Sequence, residues 1–209
     1  MKNLKNKKIL ITAGPTWVPI DSVRVISNVA SGETGILLAE RFRRLHAKVT
    51  LILGPVGSCR LNKKIKVFRF CFFKELKMMV RKELLSQRYD FIIHSAAVAD
   101  FRPETRTNGK LSSNKNHTLK LLMLPKIVRQ MRKLAPKTKL IMFKLEPGIS
   151  VSSLLKKAKV TMAKTKADFI VANTITPYRV FIIDNTGRSI KVKSKIDLSN
   201  KLIKILTYN

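Results

Sequence analysis

Short apolar runs alternate with longer segments of helical periodicity along almost the whole chain. Residues 8–12 (KILIT), 48–53 (KVTLIL), 66–70, 90–96 (DFIIHSA), 119–124 (LKLLML), 139–146 (KLIMFKLE) and 168–172 (DFIVA) are brief and dense in aliphatic side chains. Such runs, several of them ended by Gly, Pro or Asn, predict buried strands. Between them, residues 32–46 place Ile36, Leu37, Ala39 and Phe42 along one helical face, with Ser31 as the expected N-cap. Residues 73–86 predict a second amphipathic helix, and Pro125 is expected at the first position of a third. Ser150 is expected to cap a fourth helix running to about Lys166, and a last helix is expected over about 197–206. Residues 179–184 and 189–193 flank Asn185-Thr186-Gly187 and predict a hairpin. Two stretches break the rhythm. Residues 14–31 carry Pro15 and Pro19, and residues 98–117 carry Pro103, Asn108, Gly109 and Asn114, so both are expected to be loops. Loops this long inside a compact domain are uncommon and often functional.

Strands that alternate with helices imply βαβ crossovers and a sheet covered on both faces. The expected fold class is α/β: a Rossmann-like three-layer α/β/α sandwich with a mainly parallel sheet and a small antiparallel extension at 179–193. Residues 1–209 are expected to form one domain. In such sheets ligands sit outside the carboxyl ends of the strands, near a switch in strand order. That rule nominates the segments after Thr12, Ala96, Phe143 and Ala172.

Composition narrows the chemistry. Lys and Arg number 43 against 12 Asp and Glu, a formal charge of +31. A cationic substrate held by long-range attraction is thereby excluded, and anionic partners such as phosphates, nucleotides, nucleic acid or a membrane surface are favoured, although dispersed charge alone defines no site. Cys59 and Cys71 belong to no CxxC, and His46, His94 and His117 have no metal-ligand spacing, so neither a disulfide scaffold nor structural zinc is expected. The basic stretch at residues 1–8 is followed by Ile9-Leu10-Ile11, but Gly14 and Pro15 interrupt too soon for a secretory h-region. No apolar run approaches the ~20 residues of a membrane span. A soluble, cytoplasmic protein is expected.

Two of the nominated segments carry candidate chemistry. Gly14-Pro15-Thr16 leads through Asp21, Arg24 and Asn28 to Ser31-Gly32-Glu33-Thr34-Gly35, which opens a helix. Neither GxGxxG nor GxxxxGK[ST] is present, yet glycines there let backbone N–H groups approach an anion at the positive helix end. Ala96-Ala97-Val98-Ala99-Asp100 leaves room for a base or ribose, and Asp100 can accept from hydroxyls or an exocyclic amine. Lys110, in a loop expected to be flexible, can bring a mobile positive charge to a polyphosphate.

These blocks together resemble phosphopantothenoylcysteine synthetase, also called phosphopantothenate–cysteine ligase, in its stand-alone form. The resemblance runs through ITAGPT(x)₂PID(x)VR(x)ISN(x)₂SG (11–32), AAVADFRP (96–103), GKLSS (109–113), PKI (125–127), FKLE (143–146) and ADFIVAN (167–173), in order and across nearly the whole chain. It implies a ligase of coenzyme A synthesis that joins 4′-phosphopantothenate to L-cysteine through an acyl-nucleotidylate, with a nucleoside triphosphate and Mg²⁺. It further implies a homodimer, and roles for particular residues. Asn28 would orient the acyl-nucleotidylate and Lys110 would approach the triphosphate. Gly14, Gly32 and Gly35 would lie near the phosphates, and Ala96, Ala97, Asp100, Phe143 and Asn173 in the nucleotide pocket; Phe143 reads equally well as plain core.

Departures from the family pattern stand at Ala30, where a hydroxyl residue is usual, at Trp17, where a charged residue is common, and at Ser112-Ser113, which replace lysines of the bifunctional enzymes. Lys164 and Lys166 lie near a family lysine in uncertain register. The 11–32 block resembles the bacterial, CTP-using branch and FKLE the eukaryotic, ATP-using one; CTP is favoured. Two other classes fit parts of the pattern. A basic nucleic-acid-binding module would need its charge gathered in a stripe, and only 7% of residues are aromatic. A dinucleotide-binding oxidoreductase would need fingerprint glycines that are absent.

Overall fold

The computed structural model describes residues 4–207; the first three residues of the basic amino-terminal stretch lie outside them. Eight strands form one sheet in the order β12-β11-β10-β9-β6-β1-β4-β5. The six from β10 to β5 are parallel: β1 (Lys8–Ala13), β4 (Lys48–Leu53), β5 (Lys66–Arg69), β6 (Phe91–His94), β9 (Lys139–Leu145) and β10 (Phe169–Thr174). β11 (Arg179–Asp184) and β12 (Ser189–Val192) add antiparallel at one edge through the Asn185-Thr186-Gly187 turn.

Side-chain alternation sorts the strands' residues onto two cores. Ile9, Ile11, Ala13, Val49, Leu51, Ile93, Ile141 and Val171 point to one face, where α1 (Glu33–Arg44) and α5 (Lys195–Thr207) pack with Phe42, Leu38 and Leu202. Leu10, Ile52, Ile92, Leu140, Ile170 and Ala172 point to the other, covered by α2 (Phe73–Ser86), α3 (Ile127–Leu134) and α4 (Val151–Thr165). Helices on both faces of a mainly parallel sheet make this a three-layer α/β/α fold. The full burial of Phe42 and of each fully buried Leu or Ile contributes about 1.5–3 kcal/mol.

Several local expectations need correction. The residues 14–31 are not all loop: β2 (Trp17–Pro19) and β3 (Val25–Ser27) form a small hairpin. The run 119–124 does not join the main sheet. Only Leu121–Met123 is strand (β8), pairing antiparallel with Phe101–Pro103 (β7) inside the other supposed loop. Its alternate side chains lie exposed, so apolar composition there marks a surface ribbon and not a buried strand. The N-cap of α1 is Gly32, in the left-handed region, and not Ser31, although the Ser31 hydroxyl accepts from the Glu33 amide at 3.4 Å. Lys126 occupies the N-cap position of α3 without a side-chain cap bond, which leaves Pro125 outside the helix. Ser150 caps α4 as expected, its hydroxyl accepting from the Ser153 amide at 3.2 Å. Glu75 serves α2 by accepting the Cys71 and Phe72 amides at 2.7 and 3.0 Å. Trp17 packs edge-on against Phe72, with ring centroids 6.3 Å apart, and so ties the β2–β3 hairpin to the start of α2.

Candidate functional site

The chain runs β1, β4, β5 toward one edge and β6, β9, β10 toward the other, so strand order reverses between β1 and β6. A doubly wound sheet opens its ligand crevice at that point. Here the ends of β1 and β6 are laced together: the Ala97 amide donates to the Gly14 carbonyl at 2.9 Å and the Thr16 amide to the Ala97 carbonyl at 3.2 Å. The Ala99 amide donates to the Thr16 hydroxyl at 2.8 Å. Asn28 completes the junction by donating from its side-chain amide to the Val98 carbonyl at 3.1 Å. The two nominated segments therefore meet in one place.

Three of the glycines that sequence singled out stand side by side at this junction. A methyl on Gly32 would lie 2.8 Å from Val56 Cγ1 and 3.2 Å from the Gly14 amide nitrogen, and Gly32 holds φ +71. A methyl on Gly35 would lie 2.4 Å from Ala13 Cβ and 2.7 Å from Ser95 Oγ. Glycine is thus what lets the amino end of α1, with its N–H groups that lack intrahelical partners, rest directly on the end of β1. Gly54, at the end of β4, is a fourth member that sequence reasoning missed: a methyl there would lie 2.3 Å from the Pro15 carbonyl oxygen. Its signal was Gly54-Pro55 directly after an apolar strand.

Below the junction, His94 and Thr12 share a buried hydrogen bond of 2.7 Å. Burial pushes the His94 imidazole down to about 4, so it is neutral at physiological pH. The Ser95 hydroxyl donates to the Thr12 carbonyl at 2.8 Å, which fixes the backbone that leads into Ala96.

The remaining sequence candidates fall at different depths. Ala96 packs toward the α2–α3–α4 core, whereas Ala97 lies on the Gly14 backbone. Asp100 is exposed and its carboxylate is ion-paired with Lys126, a partner that sequence reasoning missed although it sits inside the quoted PKI block. Phe143 is half-buried against the α1–α5 core, and Asn173 falls on the same face of β10 by alternation. Asn173 also accepts the Glu146 amide at 2.9 Å through its backbone carbonyl. Lys164 and Lys166 close α4 before the amino end of β10. They are about 20 Å of strand from its carboxyl end, and the fold does not bring them to the junction.

Lys110 is exposed, with no ion pair among the described residues, but its surroundings are not the free loop that sequence suggested. The Ser22 amide donates to the Gly109 carbonyl at 3.0 Å, the Gly109 amide to the Ser22 hydroxyl at 3.1 Å, and the Thr107 amide to the Ile20 carbonyl at 3.2 Å. Asp21 accepts the Leu111 amide at 3.0 Å, the Val23 amide at 2.8 Å and the Arg24 amide at 2.6 Å, and pairs with the Arg24 guanidinium at 2.8 Å. The Leu111 and Val23 amides, with that of Arg24, hold the Asp21 carboxyl well below the usual carboxylate range despite its burial.

The geometry defines a doubly wound α/β protein with glycines and a helix amino end at the switch point of its sheet. The chain belongs to the family described as DNA/pantothenate metabolism flavoprotein C-terminal domain, which matches residues 4–208. It is 34% identical over 179 residues to the coenzyme A biosynthesis bifunctional protein CoaBC of Thermococcus kodakarensis, covering 85% of this chain and 43% of that protein. It is 32% identical over 214 residues to the CoaBC protein of Borreliella burgdorferi, covering 97% and 53%. The chain thus spans about half the length of the curated relatives it matches. Among solved structures, the DNA/pantothenate metabolism flavoprotein from Streptococcus pneumoniae superposes with a TM-score of 0.88 at 25% identity, covering 97% of this chain and all of that one. The C-terminal domain of CoaBC superposes at 0.82 and 26% identity, covering 99% and 97%. A Cab2 mutant in complex with phosphopantothenate-cysteine superposes at 0.76 with 17% identity, a likeness of fold.

Among the described residues, exposed basic side chains stand on both helical layers, for example Arg44 and Lys204 on one and Lys77, Arg81, Arg129 and Lys156 on the other. No helix among the described residues is long and apolar enough to cross a membrane.

Proposed function

We propose that this chain is a phosphopantothenate–cysteine ligase that joins 4′-phosphopantothenate to L-cysteine through an acyl-nucleotidylate. One observation carries the reading: the Gly14–Gly32–Gly35 cradle and the 96–99 strand end meet at one junction, inside a fold whose relatives are coenzyme A biosynthesis proteins, and the Lys110 loop is tied to the turn of the hairpin that leads into Asn28. The substrate carboxylate oxygen would attack the α-phosphorus of the nucleotide and pyrophosphate would leave. The cysteine amine would then attack the acyl carbonyl, lose a proton, and release the nucleoside monophosphate.

Both steps develop negative charge on phosphoryl oxygens, and the catalytic means offered here are positioning and charge stabilisation. Backbone N–H groups at the start of α1 would receive phosphate, Lys110 would neutralise the departing pyrophosphate, and Asn28 would fix the activated carbonyl. Among the described residues no group of three His, Cys, Asp or Glu side chains converges. Asp100, an exposed carboxylate next to the strand end, would be the protein group offered to Mg²⁺, with the rest of its ligands coming from the bound nucleotide and water. The chemistry the ion would supply is neutralisation of phosphate charge. CTP is the favoured nucleotide, on the resemblance of the 11–32 block to bacterial enzymes, and a homodimer is the favoured assembly.

The test is pyrophosphate release with phosphopantothenate and either CTP or ATP. Release that requires phosphopantothenate, and a product mass equal to phosphopantothenoylcysteine when L-cysteine is added, is expected. Release independent of phosphopantothenate, or none with either nucleotide, overturns the reading.

A further inference from the structure

We propose that Asp21 is a positioning residue for Lys110: its carboxylate fixes the backbone of the lysine loop against the β2–β3 turn, so that Lys110 is presented and not merely tethered. What Lys110 does once presented rests on the ligase reading above.

Asp21 is only 2% exposed, and a carboxylate withdrawn from water must have its lost hydration replaced by donors. Two donors, the Val23 and Arg24 amides, come from its own turn and would be available to any aspartate there. The other two reach beyond the turn. The Leu111 amide comes from 90 residues away in sequence, and the Arg24 guanidinium donates from the same Nη1 to both Asp21 at 2.8 Å and the Leu111 carbonyl at 3.2 Å. Both backbone groups of Leu111 are therefore held by one ion pair whose carboxylate is buried. On the other side of Lys110, both backbone groups of Gly109 are held by Ser22. Lys110 lies between two residues anchored at N–H and at C=O, and its own side chain is exposed.

Such an arrangement removes backbone freedom from a lysine while leaving its charge in the open. A lysine on an untethered loop would have to order its backbone at each turnover, at a cost in conformational entropy; here that ordering is built into the fold. Asn at position 21 keeps the shape of Asp but replaces one acceptor with an NH₂ donor, which must then face Leu111 N–H or the Arg24 guanidinium. It also leaves Arg24 without its counter-charge.

The experiment compares wild type with Asp21→Asn, Ser22→Ala, Lys110→Ala and the Asp21→Asn/Lys110→Ala double variant. Two readouts are used: amide hydrogen exchange over 107–113 and phosphopantothenate-dependent pyrophosphate release. Asp21→Asn is expected to speed exchange over 107–113 at least tenfold, with the sheet strands unchanged. Its kcat should fall at least tenfold, and the double variant should be no slower than Lys110→Ala alone, because the clamp acts only through the lysine. A merely structural role would instead multiply the two losses. Unchanged exchange in Asp21→Asn, or multiplying losses, overturns the proposal. Should Asp21→Asn fail to fold, Ser22→Ala, which loses one anchor of Gly109, reports the same exchange, and no acceleration there overturns it. Should the wild type release no pyrophosphate, the ligase reading fails while the exchange data still decide whether Asp21 clamps the loop.

Discussion

The side-chain amide of Asn28 donates to the carbonyl of Val98 across 3.1 Å, joining segments 70 residues apart in sequence. One of its two N–H groups is engaged there, so the carboxamide is held in one orientation at the end of the β1–β6 junction. Asn28 carries no charge and cannot replace a group that neutralises phosphate, whereas Lys110 can. The two should therefore fail at different steps. Lys110→Ala is expected to slow pyrophosphate release by roughly 10²-fold, the usual scale for loss of one transition-state electrostatic contact. Asn28→Ala is expected to lower phosphopantothenoylcysteine more than pyrophosphate, with bound acyl-nucleotidylate accumulating. Quenched reactions that quantify both products separately distinguish these outcomes; equal ratios in both variants would refute the division of roles.

The glycine cradle makes a second prediction, about stability and affinity together. Gly35→Ala places a methyl 2.4 Å from Ala13 Cβ, so α1 must lift from β1. The expected cost is about 1–3 kcal/mol, the range for overpacking, with weakened nucleotide binding because the helix end moves. Gly32→Ala forces an L-residue to φ +71 beside Val56, at about 1–2 kcal/mol of backbone strain. Gly57, where an added methyl would meet nothing within 4 Å, is the control: Gly57→Ala should leave stability unchanged. Denaturant midpoints and nucleotide titrations of the three variants check this ordering.

His94 predicts a pH dependence. Its imidazole, held at about 4 in the folded chain by burial, returns to about 6.5 when unfolded. Above 6.5 both states are neutral and the folded state keeps its full stability. As pH falls from 6.5 toward 4 the unfolded chain takes up a proton that the native chain refuses, and stability drops by up to about 3 kcal/mol before levelling. Urea denaturation at stepped pH should show this loss in the wild type and a flatter profile in His94→Gln. Parallel profiles would mean that the imidazole takes up its proton over the same pH range in the native and the unfolded chain.

The main sheet was legible in sequence because its strands are buried on both faces and so read as unbroken apolar runs such as Ile9-Leu10-Ile11 and Phe91-Ile92-Ile93. The 119–124 run has the same composition but the opposite fate. Leu121 and Met123 are exposed and pair only with a three-residue strand, and composition carries no record of which apolar run lies at a surface. Trp17-Val18-Pro19 was hidden for another reason: a three-residue strand containing proline has too little period to register. The cradle glycines were legible as an anion-binding pattern, but the reason Gly35 must be glycine, contact with Ala13 and Ser95, is tertiary. The Asp21–Leu111 bond, like the pairing of Lys126 with Asp100, joins residues whose proximity only the folded chain creates. This is why Lys110 read as mobile when its flanks are tied.

The ribbon β7–β8 carries the last prediction, the homodimer. Phe101 and Leu121 are 47% and 46% exposed and Met123 84%, with Phe101 and Met123 directly opposed in register. Apolar side chains clustered in this way on a short, otherwise solvated ribbon lower their free energy by meeting another apolar surface. A second copy supplies one by two-fold symmetry, the commonest closed arrangement. Met123→Lys is informative because a side chain so exposed stabilises the protomer little, so its replacement should leave the protomer's denaturation midpoint unchanged. In a dimer it would bury a charge opposite apolar partners. Sedimentation equilibrium is expected to show the wild type as a dimer at micromolar concentration and Met123→Lys at least tenfold weaker in self-association. A monomeric wild type with full ligase activity would refute the dimer. A dimeric Met123→Lys of unchanged affinity would place the interface elsewhere than this ribbon.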